Sequence, residues 1–117
     1  MTILTAKKEA LKSKCRCKHG AVIVRGGSVL SKGHNTYKPH CTYGGGPLST
    51  LHAEAAAIRN AHNKGISLVG AIIYVVRQGG LSNMSKPCKF CTEKIIKAGI
   101  KKVIYTNSNG DYINERY

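Results

Sequence analysis

Pro87-Cys88-Lys89-Phe90-Cys91-Thr92-Glu93-Lys94-Ile95-Ile96-Lys97-Ala98-Gly99-Ile100-Lys101-Lys102-Val103-Ile104-Tyr105-Thr106 is the stretch whose reading decides the fold. Pro87 suits a helix start, where its missing N–H is no loss, and Gly99 suits the end of that helix. The spacing predicts a helix from Cys88 to Ala98 and a strand from Lys101 to Thr106. Before it, Gly70 to Arg77 is β-branched and apolar enough for a buried strand, and Gln78 to Lys86 is a polar, glycine-containing connection. Strand, helix and strand in succession form a right-handed crossover that lays the helix over a sheet.

Towards the N-terminus, Ser49 or Thr50 can cap a helix that begins near His52 and runs through three alanines and Ile58 to Gly65. His52 then sits on its first turn. Asn35 to Thr50 contains Gly44-Gly45-Gly46-Pro47, shows no periodicity, and reads as a long loop. Gly20 to Val24 and Ser28 to Lys32, the latter continuing to Gly33-His34-Asn35, flank Gly26-Gly27 and read as a β-hairpin. Thr2 to Lys14 reads as a short amphipathic helix in which Ile3, Leu4, Ala10 and Leu11 share a side. The order helix, hairpin, helix, strand, helix, strand predicts a three-layer α/β/α arrangement. At this length residues 1–117 form one domain.

Nineteen basic residues stand against five acidic ones, a net charge of +14. That balance implies a polyanionic companion: a phosphorylated nucleotide, a nucleic acid strand or an acidic protein. No apolar run approaches the roughly 20 residues that cross a bilayer, and Met1 to Lys18 carries no hydrophobic stretch of signal-peptide length. A soluble, intracellular protein without membrane contact is expected, cytoplasmic or nuclear. Cys15, Cys17, Cys41, Cys88 and Cys91 make an odd set in which two have a metal role open to them. A reducing compartment therefore fits better than a disulfide framework.

Two short motifs carry the chemistry. His52-Ala53-Glu54 and Pro87-Cys88-Lys89-Phe90-Cys91 together supply an imidazole, two thiols and a carboxylate. Three protein ligands, His52, Cys88 and Cys91, suit a zinc ion that keeps a fourth position for water, which separates a catalytic site from a structural one. Cys88 and Cys91 lie three positions apart, so on the first turn of a helix both sulfurs can face one point, and the helix N-terminus favours the thiolate. Glu54 is the only carboxylate between Glu9 and Glu93 and becomes the candidate general base, although a lone helical Glu is ordinarily a solvated surface residue. A thioredoxin-like redox pair would leave His52-Ala53-Glu54 without a purpose. A structural zinc ribbon would need a fourth ligand, which Cys15, Cys17, His19, His34, His40 or Cys41 can offer. The same residues, Cys15, Cys17 or His19 with Cys41, can instead make a second, structural zinc site, though their spacing matches no finger pattern.

The pairing of His-x-Glu with Pro-Cys-x-x-Cys resembles the cytidine/deoxycytidylate deaminase superfamily. The similarity runs from about Gly20 to Thr106. Gly20-Ala21-Val22-Ile23-Val24 looks like the family's first strand, Gly33-His34-Asn35 like the end of its second, and Ile95 to Tyr105 like the helix and fourth strand of the deoxycytidylate branch. The resemblance implies a mixed central sheet, one catalytic Zn2+, and hydrolytic conversion of cytosine to uracil with loss of ammonia. Glu54 would carry a proton from water to the ring nitrogen and then to the departing amine. Asn35 is implied to bind substrate, its other reading being a turn residue, and the Ala53 backbone N–H to lie near the base. A homo-oligomer is implied as well. The stretch between Glu54 and Pro87 is long for the family, and Asp111 to Tyr117 leaves only a stub where relatives carry a fifth strand and a final helix. The fourth-strand likeness favours a nucleotide such as dCMP or CMP as substrate. The charge favours cytosine or adenine in single-stranded DNA or RNA, tRNA included. There Lys7, Lys8, Lys12, Lys14, Arg16 and Lys18 would follow the backbone, and Tyr37 or Tyr43 would stack on a base.

Overall fold

The computed structural model describes residues 2–13, 18–37, 50–78, 87, 89–107 and 111–117. Along these residues run α1 (Thr2–Ala10), β1 (Lys18–Arg25), β2 (Ser28–His34), β3 (Thr36–Tyr37), β4 (Thr50–Leu51), α2 (Ala53–Asn63), β5 (Ile72–Gln78), α3 (Lys89–Lys97), β6 (Lys102–Thr106) and β7 (Tyr112–Arg116). Gly26 and Gly27 have φ of 58° and 82°, so both central residues of the turn are left-handed and the β1–β2 hairpin closes tightly, as expected. The main sheet has the order β2-β1-β5-β6-β7. β5 and β6 are parallel and the other neighbours antiparallel, so the sheet is mixed.

Side chains alternate across a strand, and here the alternation builds two cores. Ala21, Ile23, Ile73 and Val75 bury on one face with Ala53, Ala57, Ile58 and Ala61 of α2 and Ile95 of α3. Their neighbours Val22, Val24 and Val76 bury on the other face with Ala6 and Ala10 of α1. The result is the expected α/β/α layering.

Two glycines set how close the helices come. A Cβ at Gly20 would strike the Ala6 carbonyl oxygen and lie 2.6 Å from the Ala10 nitrogen; one at Gly33 would strike the Ala57 nitrogen and lie 2.7 Å from the Ala53 carbonyl oxygen. Thus α1 and α2 press on the hairpin backbone from opposite sides, and only small residues can face it. Ala6 and Ala10 of α1 meet it accordingly, and Glu9 and, beyond the helix end, Ser13 are buried on the same line. The expected apolar side is corrected here: Leu4 and Leu11 are 54% and 61% exposed, because they share a different face of the helix from the line that meets Gly20.

Three further expectations change. Within the stretch read as a loop, Thr36 and Tyr37 pair antiparallel with Leu51 and Thr50; residues 38–49 lie outside the described ones. Thr50 is therefore in a ladder, and the cap of α2 is His52, in extended backbone with φ −69° and ψ 152° and no side-chain cap bond. Its carbonyl accepts the Ala56 N–H at 2.9 Å. Lastly, Asp111 to Tyr117 is no stub. β7 pairs with the whole of β6, from Thr106 opposite Tyr112 to Lys102 opposite Arg116, and the Tyr105 hydroxyl donates to Glu115 Oε1 at 2.8 Å. Among the described residues no helix is long and apolar enough to cross a membrane.

Candidate active site

The start of β1, the ends of β2 and β5, and the first turns of α2 and α3 meet at one end of the sheet. Lys18 lies opposite Gln78 and Gly20 opposite His34, which fixes the strand ends, while His52 Nδ1 lies 3.2 Å from Cys91 Sγ, which joins the helix starts. Side-chain donor atoms of His52, Glu54 and Cys91 all fall within 4.8 Å of one another. A tetrahedral zinc with Zn–S of about 2.3 Å and Zn–N of about 2.0 Å would set nitrogen and sulfur about 3.5 Å apart. The His52–Cys91 spacing and the nitrogen and sulfur donors fit that ion, and these two residues could help hold it with the Glu54 carboxylate close by. Cys88, the remaining expected ligand, lies outside the described residues. Pro87 is buried, Cys91 is 1% exposed, and α3 begins at Lys89.

Glu54 is the unusual member. Positions 54, 57, 58 and 61 share one side of α2, and Ala57, Ile58 and Ala61 on it belong to the core. The sequence thus places a carboxylate on a stripe that is otherwise apolar, and Glu54 is 3% exposed. Its Oε1 has no hydrogen-bond partner among the described residues. Burial pushes its carboxyl above the ordinary value of 4.5, against the opposing pull of its own backbone N–H, of His52 and of the Cys91 thiol.

Asn35 is placed beside the site and is built into the strands. Its Oδ1 accepts the His19 N–H at 2.8 Å, its own N–H donates to the His19 carbonyl at 3.2 Å, and its carbonyl accepts the Ser13 hydroxyl at 2.7 Å. It prolongs the β1–β2 pairing by one residue and anchors the end of the N-terminal segment there. Ala53 is wholly buried, and as the first residue of α2 its N–H falls in the turn whose donors have no acceptor within the helix.

Two residues not singled out for this site sit in it. His19 lies near Arg77 and His52, and burial, with the electrostatic influence of Arg77 and of His52, lowers its pKa to about 4. It is uncharged near neutrality. Arg77 is the cross-strand partner of His19. Strand alternation was the available signal: once Ala21 and Ile23 face α2, His19 must emerge on the same side. His19 is thus drawn to the candidate zinc centre; Cys15, Cys17, His40 and Cys41, the other candidates for a second metal, lie outside the described residues.

The expected basic track divides. Lys14 and Arg16 lie outside the described residues, as do Tyr43 and the side chain of Tyr37. Lys12 is bound to Glu9 at 3.1 Å, and Lys8 is exposed. A cleft of about 360 Å3 lined by Glu9, Lys12, Ser31, Lys32, Asn60, Asn63 and Lys64 contains none of the site donors. That cleft is separate from the donor cluster at the helix starts.

Residues 1–107 match the model of the cytidine and deoxycytidylate deaminase zinc-binding region. The chain is 35% identical to ComE operon protein 2 of Bacillus subtilis (strain 168), over 92% of this chain and 57% of that protein. It is 33% identical to a tRNA-specific adenosine deaminase of Streptococcus pyogenes serotype M18, over 89% of this chain and 59% of that one. The chain spans a little under three-fifths of the length of these curated relatives. The crystal structure of a dCMP deaminase from the cyanophage S-TIM5 superimposes with a TM-score of 0.70 at 32% identity, covering 91% of this chain and 79% of that one. With its paired helix starts, its mixed sheet and this match over most of its length, the chain belongs to the cytidine and deoxycytidylate deaminase zinc-binding family.

Proposed function

We propose that the protein is a hydrolytic nucleobase deaminase in which His52, Cys88 and Cys91 hold zinc and Glu54 moves the protons. The observation that carries this reading is the Glu54 carboxylate, 3% exposed, with Oε1 unpartnered among the described residues and within 4.8 Å of the His52 and Cys91 donors. Bound zinc supplies Lewis-acid activation that makes water nucleophilic near neutral pH. Glu54 accepts a proton from that water, places it on the ring nitrogen beside the amidine carbon, and passes the next to the departing amine. The oxygen of water ends as the carbonyl, and the exocyclic nitrogen leaves as ammonia. An elevated carboxyl pKa suits this work, since proton transfer is most effective when the pKa approaches the working pH. Asn35 and the Ala53 N–H contact the substrate, the latter from the positive end of α2.

The substrate is a cytosine nucleotide such as dCMP or CMP, a reading supported by the likeness to the cyanophage dCMP deaminase. A second reading, deamination of cytosine or adenine in single-stranded DNA or in RNA such as tRNA, draws on the net charge of +14 and on the similarity to a tRNA-specific adenosine deaminase. Residues 1–117 act as one domain, intracellular and assembled into a homo-oligomer, which sedimentation of the purified protein checks.

The test is ammonia release by zinc-loaded protein offered cytidine, CMP, dCMP, dCTP, adenosine, single-stranded DNA and a structured RNA. Activity on dCMP that survives high salt supports the nucleotide reading. Activity confined to polymers and lost as salt rises supports the second. Silence on all of them sinks the deaminase reading.

A further inference from the structure

Glu54, the metal donors, Asn35 and Ala53 leave two side chains at the site without a task, His19 and Arg77. They stand directly opposite one another on β1 and β5, a cross-strand relation that brings Cβ atoms to about 5 Å. Each continues a buried alternation, Ala21 and Ile23 on one strand and Ile73 and Val75 on the other, that packs under α2. By the two-residue period both side chains emerge on that face, one step beyond the core and at the end where α2 and α3 begin. Both are half-buried, and the Arg77 Nε is shielded from solvent. His19 is also near enough to His52, as to Arg77, to be influenced by it electrostatically, which puts the pair in the neighbourhood of the candidate zinc ligands.

A guanidinium is charged at every physiological pH and presents a planar fork matched to phosphate. The amidine that a deaminase attacks is uncharged, so the anionic part of a nucleotide or strand is its phosphate. The His19 ring stands beside the guanidinium on the neighbouring strand. As the residue directly opposite Arg77, it bounds the space in which the fork can turn.

We propose that Arg77, positioned by His19, is the phosphate-binding residue of this site, so that the substrate enters as a phosphorylated species; this rests on the deaminase reading for the placement of the base. The phosphate is either the monoester of a mononucleotide or the diester of a strand, and the arms of one experiment separate them.

Zinc-loaded full chain is titrated calorimetrically with deoxyuridine, dUMP and a thymidine-flanked deoxyuridine trinucleotide, and in parallel with deoxyinosine and dIMP. One phosphorylated product is expected to bind at least about tenfold more tightly than its nucleoside, as a charge-assisted bidentate contact provides. In Arg77→Gln that preference falls to within about threefold, and in Arg77→Lys, which keeps the charge and loses the fork, it is intermediate. Selective weakening of the mononucleotide identifies the monoester, and selective weakening of the trinucleotide the diester. A preference that persists unchanged in Arg77→Gln overturns the proposal. Should that variant not fold, the unaltered protein decides: inorganic phosphate must displace the phosphorylated product and leave nucleoside binding as it was, and failure to do so overturns it equally. His19→Phe, which keeps a packed ring, is expected to retain most of the preference, whereas His19→Ala loses it in part; equal values in the two remove the positioning role. Because product binding needs no turnover, an Arg77-dependent preference without ammonia release would sink deamination alone. Ammonia release with no such preference would sink the phosphate site alone.

Discussion

Two glutamates lie under opposite faces of the sheet at nearly the same depth, Glu9 of α1 at 6% exposure and Glu54 of α2 at 3%. Glu9 is answered on both oxygens, by Lys12 Nζ at 3.1 Å and by His34 Nδ1 at 2.9 Å. Burial alone would raise its carboxyl, but the hydrogen bonds and charges of His34 and Lys12 outweigh burial and hold it below the ordinary 4.5. Glu54 has an unanswered oxygen among the described residues, and there burial prevails. Depth alone does not set the direction in which a carboxyl's pKa moves. The partners do, and the two faces of one sheet supply the control for each other.

The same isosteric change on the two faces gives the largest contrast. Glu54→Gln is expected to lower turnover by roughly 10²- to 10⁴-fold, the scale of general acid–base catalysis. Zinc content should stay at the wild-type level, and the melting midpoint should not fall, because an amide of the same shape replaces a buried carboxyl whose ionisation burial disfavours. Ammonia release within threefold of wild type, a margin of about 0.65 kcal/mol, would erase the distinction between the two glutamates. Removal of the metal comes next. A chelator should destabilise the protein by about 3 kcal/mol where the ion is present at a hundredfold its dissociation constant, and Cys91→Ser should reduce bound zinc measured by atomic absorption. A midpoint indifferent to chelator would mean that the cluster at the helix starts holds no ion.

Glu9→Gln inverts the first result. It should cost about 1.5–3 kcal/mol in urea unfolding, the range for hydrogen bonds to a charged group, while kcat on the best substrate changes less than about threefold, since Glu9 lies on the face of the sheet opposite α2. The pH dependence has a defined sign. With its folded pKa below the unfolded value, Glu9 contributes stability that is fully present above about pH 4.5 and is lost as pH falls through the lower, folded value. Wild type should therefore lose stability in acid more steeply than Glu9→Gln. Superimposable acid limbs would show that His34 and Lys12 do not hold this carboxylate.

Much of this was legible in the sequence, and the limits were physical. The glycine pair at Gly26-Gly27 and the apolar runs on either side specify a hairpin by local rules, and Gly65 and Gly99 mark helix ends in the same way. His52, Glu54 and Cys91 stand out in the sequence because their chemistry is rare in combination, and the structure brings their donor atoms together. Arg77 and His19 were not absorbed into the site, since their meeting depends on the register between β1 and β5, which are far apart in the chain. The sequence Tyr112-Ile113-Asn114-Glu115-Arg116 hid β7 because it carries few apolar residues; its pairing draws on the β6 backbone and on the Tyr105–Glu115 hydrogen bond. The leucines of α1 misled for a related reason. Burial there is set by how closely α1 can approach Gly20, which favours the smallest side chains over the most hydrophobic ones.

That last point yields the smallest expected effect. Leu11 is 61% exposed and lies off the Ala6, Glu9, Ala10 and Ser13 line, so Leu11→Gln should change unfolding free energy by no more than about 0.5 kcal/mol, as for other exposed substitutions away from special features. Glu9, two residues earlier, is expected to matter several times more although it is a charged residue and Leu11 an apolar one. Measured in dilute solution, where association does not cover the helix, the two variants rank the forces that seat α1. If Leu11→Gln proves the more damaging, α1 is held by its leucines and Glu9 is a bystander. The contrast between an answered and an unanswered carboxylate would then reduce to Glu54 alone.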